Sequence, residues 1–245
     1  MPHACCLAMK PNIKDLSRGE LESWLSEKRQ PRYRADQIQK WLFQSGASRF
    51  SQMTNLSADL RDLLEESFTI SGLRMLRSDS SRDGTVKFLF GLADALSIES
   101  VLIPEARRLS LCISTQAGCG FGCAFCATAL MGLKRNLRTS EILDQILEVR
   151  RSLPVGKRIT HVVLMGMGEP LANYPQTLKA LRIMTDAERG LGFSPRRVTL
   201  STVGLVPQIK RLMEESRVNL AISLHAATDE VRSELMPINR KYSLA

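Results

Sequence analysis

From Pro104 onward one pattern repeats, a short apolar run followed by a longer stretch with helical period. The apolar runs lie at Leu109–Ser114, Ile159–Leu164, Arg197–Thr202 and Val218–Leu224. Helical patterns follow near residues 140–152, 175–187, 206–215 and 228–235. Apolar strands separated by helices predict a parallel sheet covered by helices, an α/β fold. Four βα units fit either a barrel or an open sheet, and both gather chemistry at the carboxyl ends of the strands. Upstream, Thr85–Phe90 and Ile98–Ile103 read as strands. Earlier still, Leu21, Trp24 and Leu25, then Ile38, Trp41 and Leu42, then Leu60, Leu63 and Leu64 recur at helical spacing. Ser17 and Glu20 form a capping-box pattern for the first helix, and Trp24 and Trp41 read as core residues. The expected organisation is a helical domain over 1–75, a β extension over 76–104 and an α/β domain over 105–245.

The chain carries a formal net charge of +9. Residues 1–100 are nearly balanced, with 14 basic and 13 acidic side chains, whereas residues 101–245 carry 20 basic against 12 acidic. Pairs such as Arg107-Arg108, Lys134-Arg135, Arg150-Arg151, Lys157-Arg158, Arg196-Arg197 and Lys210-Arg211 concentrate that surplus. A basic face suits a polyanion such as RNA, and taken alone it equally suits a solvated surface. No apolar run reaches the roughly 18 residues of a membrane span, and the amino terminus lacks a secretory pattern. The expected compartment is the cytoplasm, where six cysteines argue for metal or redox chemistry over structural disulfides.

The sharpest local feature is Cys119-Gly-Phe-Gly-Cys123-Ala-Phe-Cys126, just beyond the first of the repeating strands. Three thiolates at this spacing can hold three irons of a cubane cluster and leave the fourth without a protein ligand, which makes such a cluster catalytic. Gly118, Gly120 and Gly122 let the loop curl and aim backbone N–H groups at sulfur. Lys134, Arg135 and Arg138 stand ready to offset the cluster's negative charge. A structural zinc site normally needs four ligands in two paired groups. No second pair is present, and His161 and His225 fall in separate strand regions. Nor is this a dinucleotide fingerprint, because Cys123 stands where the last glycine belongs.

Cys-x-x-x-Cys-x-aromatic-Cys resembles the signature of radical S-adenosylmethionine (SAM) enzymes. The surrounding text resembles the RlmN type of RNA methyltransferase: Ile98–Pro104, Leu111–Cys119, Met165-Gly-Met-Gly-Glu-Pro170, Arg197–Thr202 and Ala221-Ile-Ser-Leu-His-Ala226. The amino-terminal helical module is similar to that family's accessory RNA-binding domain. The resemblance implies a partial (β/α) barrel of the radical SAM type with a small N-terminal helical domain. It implies that Cys119, Cys123 and Cys126 hold a [4Fe–4S] cluster whose open iron takes the amino and carboxylate groups of SAM. Phe125 is then expected beside the cofactor, with Gly168 and Glu169 at its amino group and Ser201, Ser223, Leu224 and His225 completing the pocket. Glu99 matches the general base, its apolar neighbours suggesting burial and a raised pKa. Cys112 matches the cysteine that pairs transiently, as a disulfide, with the methyl-carrying cysteine. Cys5 and Cys6 match nothing.

The family reaction uses two SAM molecules, one to methylate a cysteine and one to generate a deoxyadenosyl radical. The methyl carbon is delivered to C2 of an adenosine in 23S rRNA and, in many members, of an anticodon-loop adenosine in tRNA. Expected partners are therefore 23S rRNA, tRNA and an electron donor such as flavodoxin or ferredoxin, with the protein a monomer. The sequence departs from the family in one respect, since no cysteine follows Cys126. The expectation is a chain truncated before the methyl-carrying cysteine, or one that holds its cluster without completing transfer. A metal- or cluster-containing RNA-binding protein and a Cfr-type C8 methyltransferase stay open as alternatives.

Overall fold

The computed structural model describes residues 10–244 and divides after Gly72 into two compact units. Cys5 and Cys6 lie outside the described residues. In the first unit, α1 (Arg18–Glu27) begins at the expected capping box. Ser17 Oγ accepts from the Glu20 N–H (3.3 Å) and Glu20 Oε2 accepts from the Ser17 N–H (2.6 Å). Next, α2 (Arg34–Gln39) runs into a π-helical turn over Lys40–Gln44, and Ser57 caps α3 (Ala58–Ser67). Leu21, Leu25, Ile38, Leu42, Leu60 and Leu64 form the buried stripe, each contributing about 1.5–3 kcal/mol. The two tryptophans are not core residues. Both are half-buried at its margin, where Trp24 meets the Phe68 ring edge-on at 5.0 Å and Trp41 Nε1 donates to Asn55 Oδ1 at 2.6 Å. A buried indole N–H needs a partner, and the margin is where one is found.

The second unit opens with an antiparallel meander, β1 (Arg74–Ser80), β2 (Val86–Gly91), β3 (Ser97–Glu105) and β4 (Arg108–Cys112). A two-stranded ribbon, β5 (Gln116–Ala117) with β6 (Arg135–Asn136), brackets the cysteine loop and its single turn α4 (Ala127–Leu130). The repeating units follow: α5 (Thr139–Ser152), β7 (His161–Leu164), α6 (Tyr174–Thr185), β8 (Val198–Thr202), α7 (Val206–Glu215), β9 (Asn219–Ile222) and α8 (Asp229–Leu235). Strand order is β1-β2-β3-β4-β7-β8-β9, parallel from β4 onward. This is the expected α/β partial barrel, extended on one side by the meander.

Two features depart from the sequence reading. Strand β1 begins at Arg74, inside the stretch read as helical. All seven of its residues are exposed, so no apolar alternation announces it. The parallel strands are also not buried on both faces. In β8, Val198, Leu200 and Thr202 are buried while Thr199 and Ser201 are half-exposed, and β7 alternates in the same way. The buried side faces the helices, as Gln145 of α5 shows by bonding Ser100 and Ser114. Among the described residues no helix is long and apolar enough to cross a membrane.

Candidate active site

The other face of the sheet carries the chemistry. Residues paired across neighbouring strands share a face, and residues two apart along a strand share it too. Glu99 is two residues from Val101, Val101 pairs with Cys112, Cys112 with Val163, and Val163 with Thr199. Ser201 follows Thr199 at the same spacing and pairs with Ala221. Ser223 extends the ladder through its N–H to Thr202 O (2.9 Å), and its hydroxyl lies 3.3 Å from that of Ser201. Glu99, Cys112, Ser201 and Ser223, far apart in sequence, thus line one surface.

Glu99 is not buried among its apolar neighbours. Ile98, Ser100 and Leu102 turn to the helix side, while the Glu99 side chain is 43% exposed and pairs with Lys87 Nζ at 3.1 Å. Strand alternation sends the flanking hydrophobes the opposite way, so Glu99 faces the open side of the sheet. Cys112, at the end of β4, is mostly enclosed. Burial pushes its thiol up, partly offset by the Met165 backbone N–H. Cys112, Cys119, Cys123 and Cys126 are all free thiols, so the expected disulfide has no counterpart among the described residues.

At the carboxyl ends of β4 and β7 the backbones press together. Ser114 Oγ donates to Glu99 O (2.6 Å) and accepts from the Met167 N–H (2.9 Å), while the Gln145 amide brackets the Ser114 backbone. A side chain at Gly168 (φ +94°) would place its Cβ 2.4 Å from that of Gln116, so only glycine completes this turn. Glu169 sits beside it with 2% exposure. Its Oε1 accepts from the Leu171 N–H (3.0 Å) and its Oε2 from the Val203 N–H (2.8 Å). Burial raises its pKa against these hydrogen bonds. Oε2 thus ties the turn after β7 to the end of β8 while Oε1 closes the turn itself, and the carboxylate keeps lone-pair capacity for a further donor.

The cysteine loop is closed at its neck by Lys134 N–H to Ala117 O (2.9 Å). A Cβ on Gly118 (φ +78°) would lie 1.9 Å from Gly132 O, and Gly122 also has positive φ (+66°). The loop is docked through Ala124 N–H to Leu235 O (2.9 Å). Burial raises the Cys119 and Cys123 thiols, and the neighbouring thiols add to that. Among the described residues no three His, Cys, Asp or Glu side chains converge as around a single ion. A cubane asks for less convergence, since each thiolate takes a different iron. Free thiols on a glycine-curled loop, near enough to repel one another once ionised, fit a cationic iron–sulfur core. Arg135 does not serve it. The Glu141 carboxylate takes its guanidinium in two bonds (2.7 and 2.8 Å) and Asp94 takes Nε, which together push its pKa up. Lys134 and Arg138 remain exposed.

Beyond β9, His225 adopts φ +57°, a left-handed conformation uncommon outside glycine, and its ring lies 4.5 Å from that of Phe125. Phe125 and Leu224 are both about half exposed, at 53% and 51%. The fold thereby joins the cysteine loop to the last expected pocket segment. What holds that segment is a residue the sequence reading missed. Arg232, 3% exposed, donates from Nε to Leu224 O (3.1 Å), from Nη2 to Val203 O (2.8 Å) and from Nη1 to Asn239 Oδ1. One arginine on a short helix carries no sequence signal separating it from a solvated charge.

Parallel strands ending at a three-cysteine loop define a radical SAM domain, and residues 113–245 match the Radical SAM superfamily. Residues 11–70 match the ribosomal RNA large subunit methyltransferase N-terminal domain. The dual-specificity RNA methyltransferase RlmN of Syntrophus aciditrophicus is 52% identical over 233 residues, 95% of this chain and 67% of that protein. That of Geobacter sulfurreducens is 53% identical over 234 residues, 96% of this chain and 64% of that protein. A crystal structure of a radical SAM methyltransferase from Sphaerobacter thermophilus superposes with TM-score 0.88 at 42% identity, covering 96% of this chain and 69% of that one. The chain belongs to the RlmN family of radical SAM methyltransferases and spans about two thirds of the length of these curated relatives.

Proposed function

We propose that the chain supplies the cluster- and SAM-binding part of an enzyme that methylates C2 of an adenosine in RNA, in 23S rRNA and in the anticodon loop of tRNA, with a [4Fe–4S] cluster held by Cys119, Cys123 and Cys126 and with the methyl-carrying cysteine not among its own residues, since no cysteine follows Cys126. The observation that carries this reading is the shared sheet face of Glu99, Cys112, Ser201 and Ser223, which runs to the ends that hold the cysteine loop. When bound, the cluster and SAM supply one-electron cleavage and the methyl group. The chain's own residues do the placing. Phe125 and His225, with ring planes tilted 46° to one another, offer a partly exposed aromatic corner against which an adenine ring can pack. Ser201 and Ser223 present paired hydroxyls on the shared sheet face, and Leu224 adds apolar surface. Gly168 and Glu169 shape the β7 turn, and the Glu169 carboxylate suits the SAM amino group there. Glu99, paired with Lys87, is a group on this face able to take the C2 proton from the substrate-linked adduct and so restore the aromatic ring. Cys112 is the thiol placed to exchange with a second cysteine.

The family match of residues 11–70 and the basic excess of residues 101–245 support RNA as the substrate. The experiment is reductive cleavage of SAM by the reconstituted chain, together with mass spectrometry of rRNA and tRNA fragments methylated by a full-length relative with and without the change that matches Glu99→Gln. Deoxyadenosine formed by the chain, and C2-methyladenosine that disappears with the Gln change, support the reading. Methylation at C8, or no cleavage of SAM by the chain, overturns it.

A further inference from the structure

We propose that the turn joining α1 to α2, residues 28–34, is a contact surface for RNA, in which Lys28, Arg29 and Arg32 meet backbone phosphates and Tyr33 stacks on an unpaired base. This rests on the RNA-methyltransferase reading and adds to it a docking surface within the first unit. The turn begins as a Schellman motif. The Gln30 N–H donates to Leu25 O (2.8 Å) and the Arg29 N–H to Ser26 O (3.0 Å), which closes the end of α1. That motif needs a left-handed residue at the position of Arg29, where glycine is the usual occupant because it has no Cβ to clash. Arg29 takes it with φ +55° and remains exposed. Among the described residues its side chain makes no hydrogen bond or ion pair. The arginine therefore strains the helix end and returns no contact to it, which points to a role outside the fold.

The surroundings of Arg29 agree. Residues 28–34 hold four cations, Lys28, Arg29, Arg32 and Arg34, and no acid. Lys28 and Arg32 are exposed, and among the described residues no carboxylate pairs with either. Glu27, the acid just before the turn, pairs with none of them, and Asp36, just after it, is taken by Arg18 Nε at 2.8 Å. The acids of this unit gather instead on α3, as Asp59, Asp62, Glu65 and Glu66. The near balance of charge in this part of the chain thus conceals a cationic turn. Tyr33 lies between Arg32 and Arg34 and is 55% exposed. Arg34 Cζ stands 5.1 Å from its ring centroid, while Arg34 Nη1 is pinned by Gln37 Oε1 (2.7 Å) and Asn55 O (3.0 Å). Among the described residues no other ring packs on Tyr33. An open aromatic ring set among unpaired cations suits a base face with phosphates on either side. RNA answers both features with one ligand, whereas an acidic protein surface answers only the cations.

The test is fluorescence anisotropy of a labelled RNA hairpin with an unpaired loop, titrated with the full chain between roughly 50 and 200 mM salt. Wild type is compared with Arg29→Gly, Arg29→Lys and Tyr33→Leu, and each protein is also melted. Arg29→Gly relieves the left-handed strain, so it should melt no lower than wild type. It should nonetheless bind about tenfold more weakly near 0.1 M salt, with a salt slope reduced by about 1. Arg29→Lys keeps the charge and should stay within about threefold of wild type. Tyr33→Leu should weaken binding about fivefold or more with its salt slope unchanged, because stacking releases no counterions. If wild type binds the hairpin and both Arg29→Gly and Tyr33→Leu match it, the turn is refuted as a docking surface while the RNA reading stands. Polyglutamate that displaces the hairpin as well as unlabelled RNA does would assign the turn to an acidic protein instead. No hairpin binding by wild type at any of these salt concentrations overturns the RNA reading, and the turn with it.

Discussion

Replacing Arg232 by Met tests how the pocket segment is held. Methionine keeps much of the methylene stem and removes every donor. Five acceptors lose their partner: Leu224 O, Val203 O and Asn239 Oδ1 and, at longer range, Ser223 O and Tyr242 O. A buried acceptor left unsatisfied costs about 1–3 kcal/mol. Against that, the folded state no longer buries a guanidinium with 3% exposure, which returns part of the loss. The expected net cost is about 3 kcal/mol. For a domain of this size each kcal/mol shifts the melting midpoint by roughly 2–4 °C, so a fall of roughly 6–12 °C is expected by far-UV circular dichroism. Arg232→Lys restores one donor and should fall between wild type and Met. A shift below about 2 °C for the Met variant, or a Lys variant no better than Met, would refute the clamp.

Other substitutions probe the remaining supports. Gly118→Ala adds a Cβ 1.9 Å from Gly132 O at positive φ. The backbone strain alone is about 1–2 kcal/mol, and the loop neck must open. Iron uptake should fall sharply while the far-UV spectrum is retained, and normal uptake would contradict the cradle. Glu169→Gln turns an amide NH₂ toward one of two buried N–H groups, so urea unfolding should show a loss of about 1–3 kcal/mol. An unchanged midpoint would mean that the carboxylate is not the tie between β7 and β8. Because burial raises the Cys112 thiol, its thiolate fraction stays low until pH exceeds the ordinary thiol range. Its alkylation rate, followed by peptide mapping, should still climb at pH values where glutathione has levelled off; a plateau at or below that of glutathione would contradict the enclosure.

Much of the fold was legible because its signals are local. Each βα unit pairs a run such as Val198-Thr-Leu-Ser-Thr202 with an amphipathic helix, and the four helices fall within two residues of their expected bounds. The cysteine loop was legible for the same reason, since its ligands and glycines lie within nine residues of one another. What stayed hidden depends on which way a side chain points. Glu99 reads as buried from its neighbours, yet period-2 alternation turns it away from them. Glu169 reads as a carboxylate at a strand end, and only the packed turn shows that both oxygens are already bonded. Strand β1 has no buried face to write into sequence. Arg232 draws its importance from carbonyls 8 and 29 residues away.

We propose that Cys119, Cys123 and Cys126 hold a four-iron cluster with one iron left for SAM. Anaerobic reconstitution with iron and sulfide, followed by metal and sulfide analysis and electron paramagnetic resonance of the reduced protein, tests it most directly. About four irons and four sulfides per chain are expected, lost when Cys123 is replaced by Ala, with a signal that changes when SAM is added. One zinc per chain, or iron that survives replacement of Cys123 and ignores SAM, would contradict it.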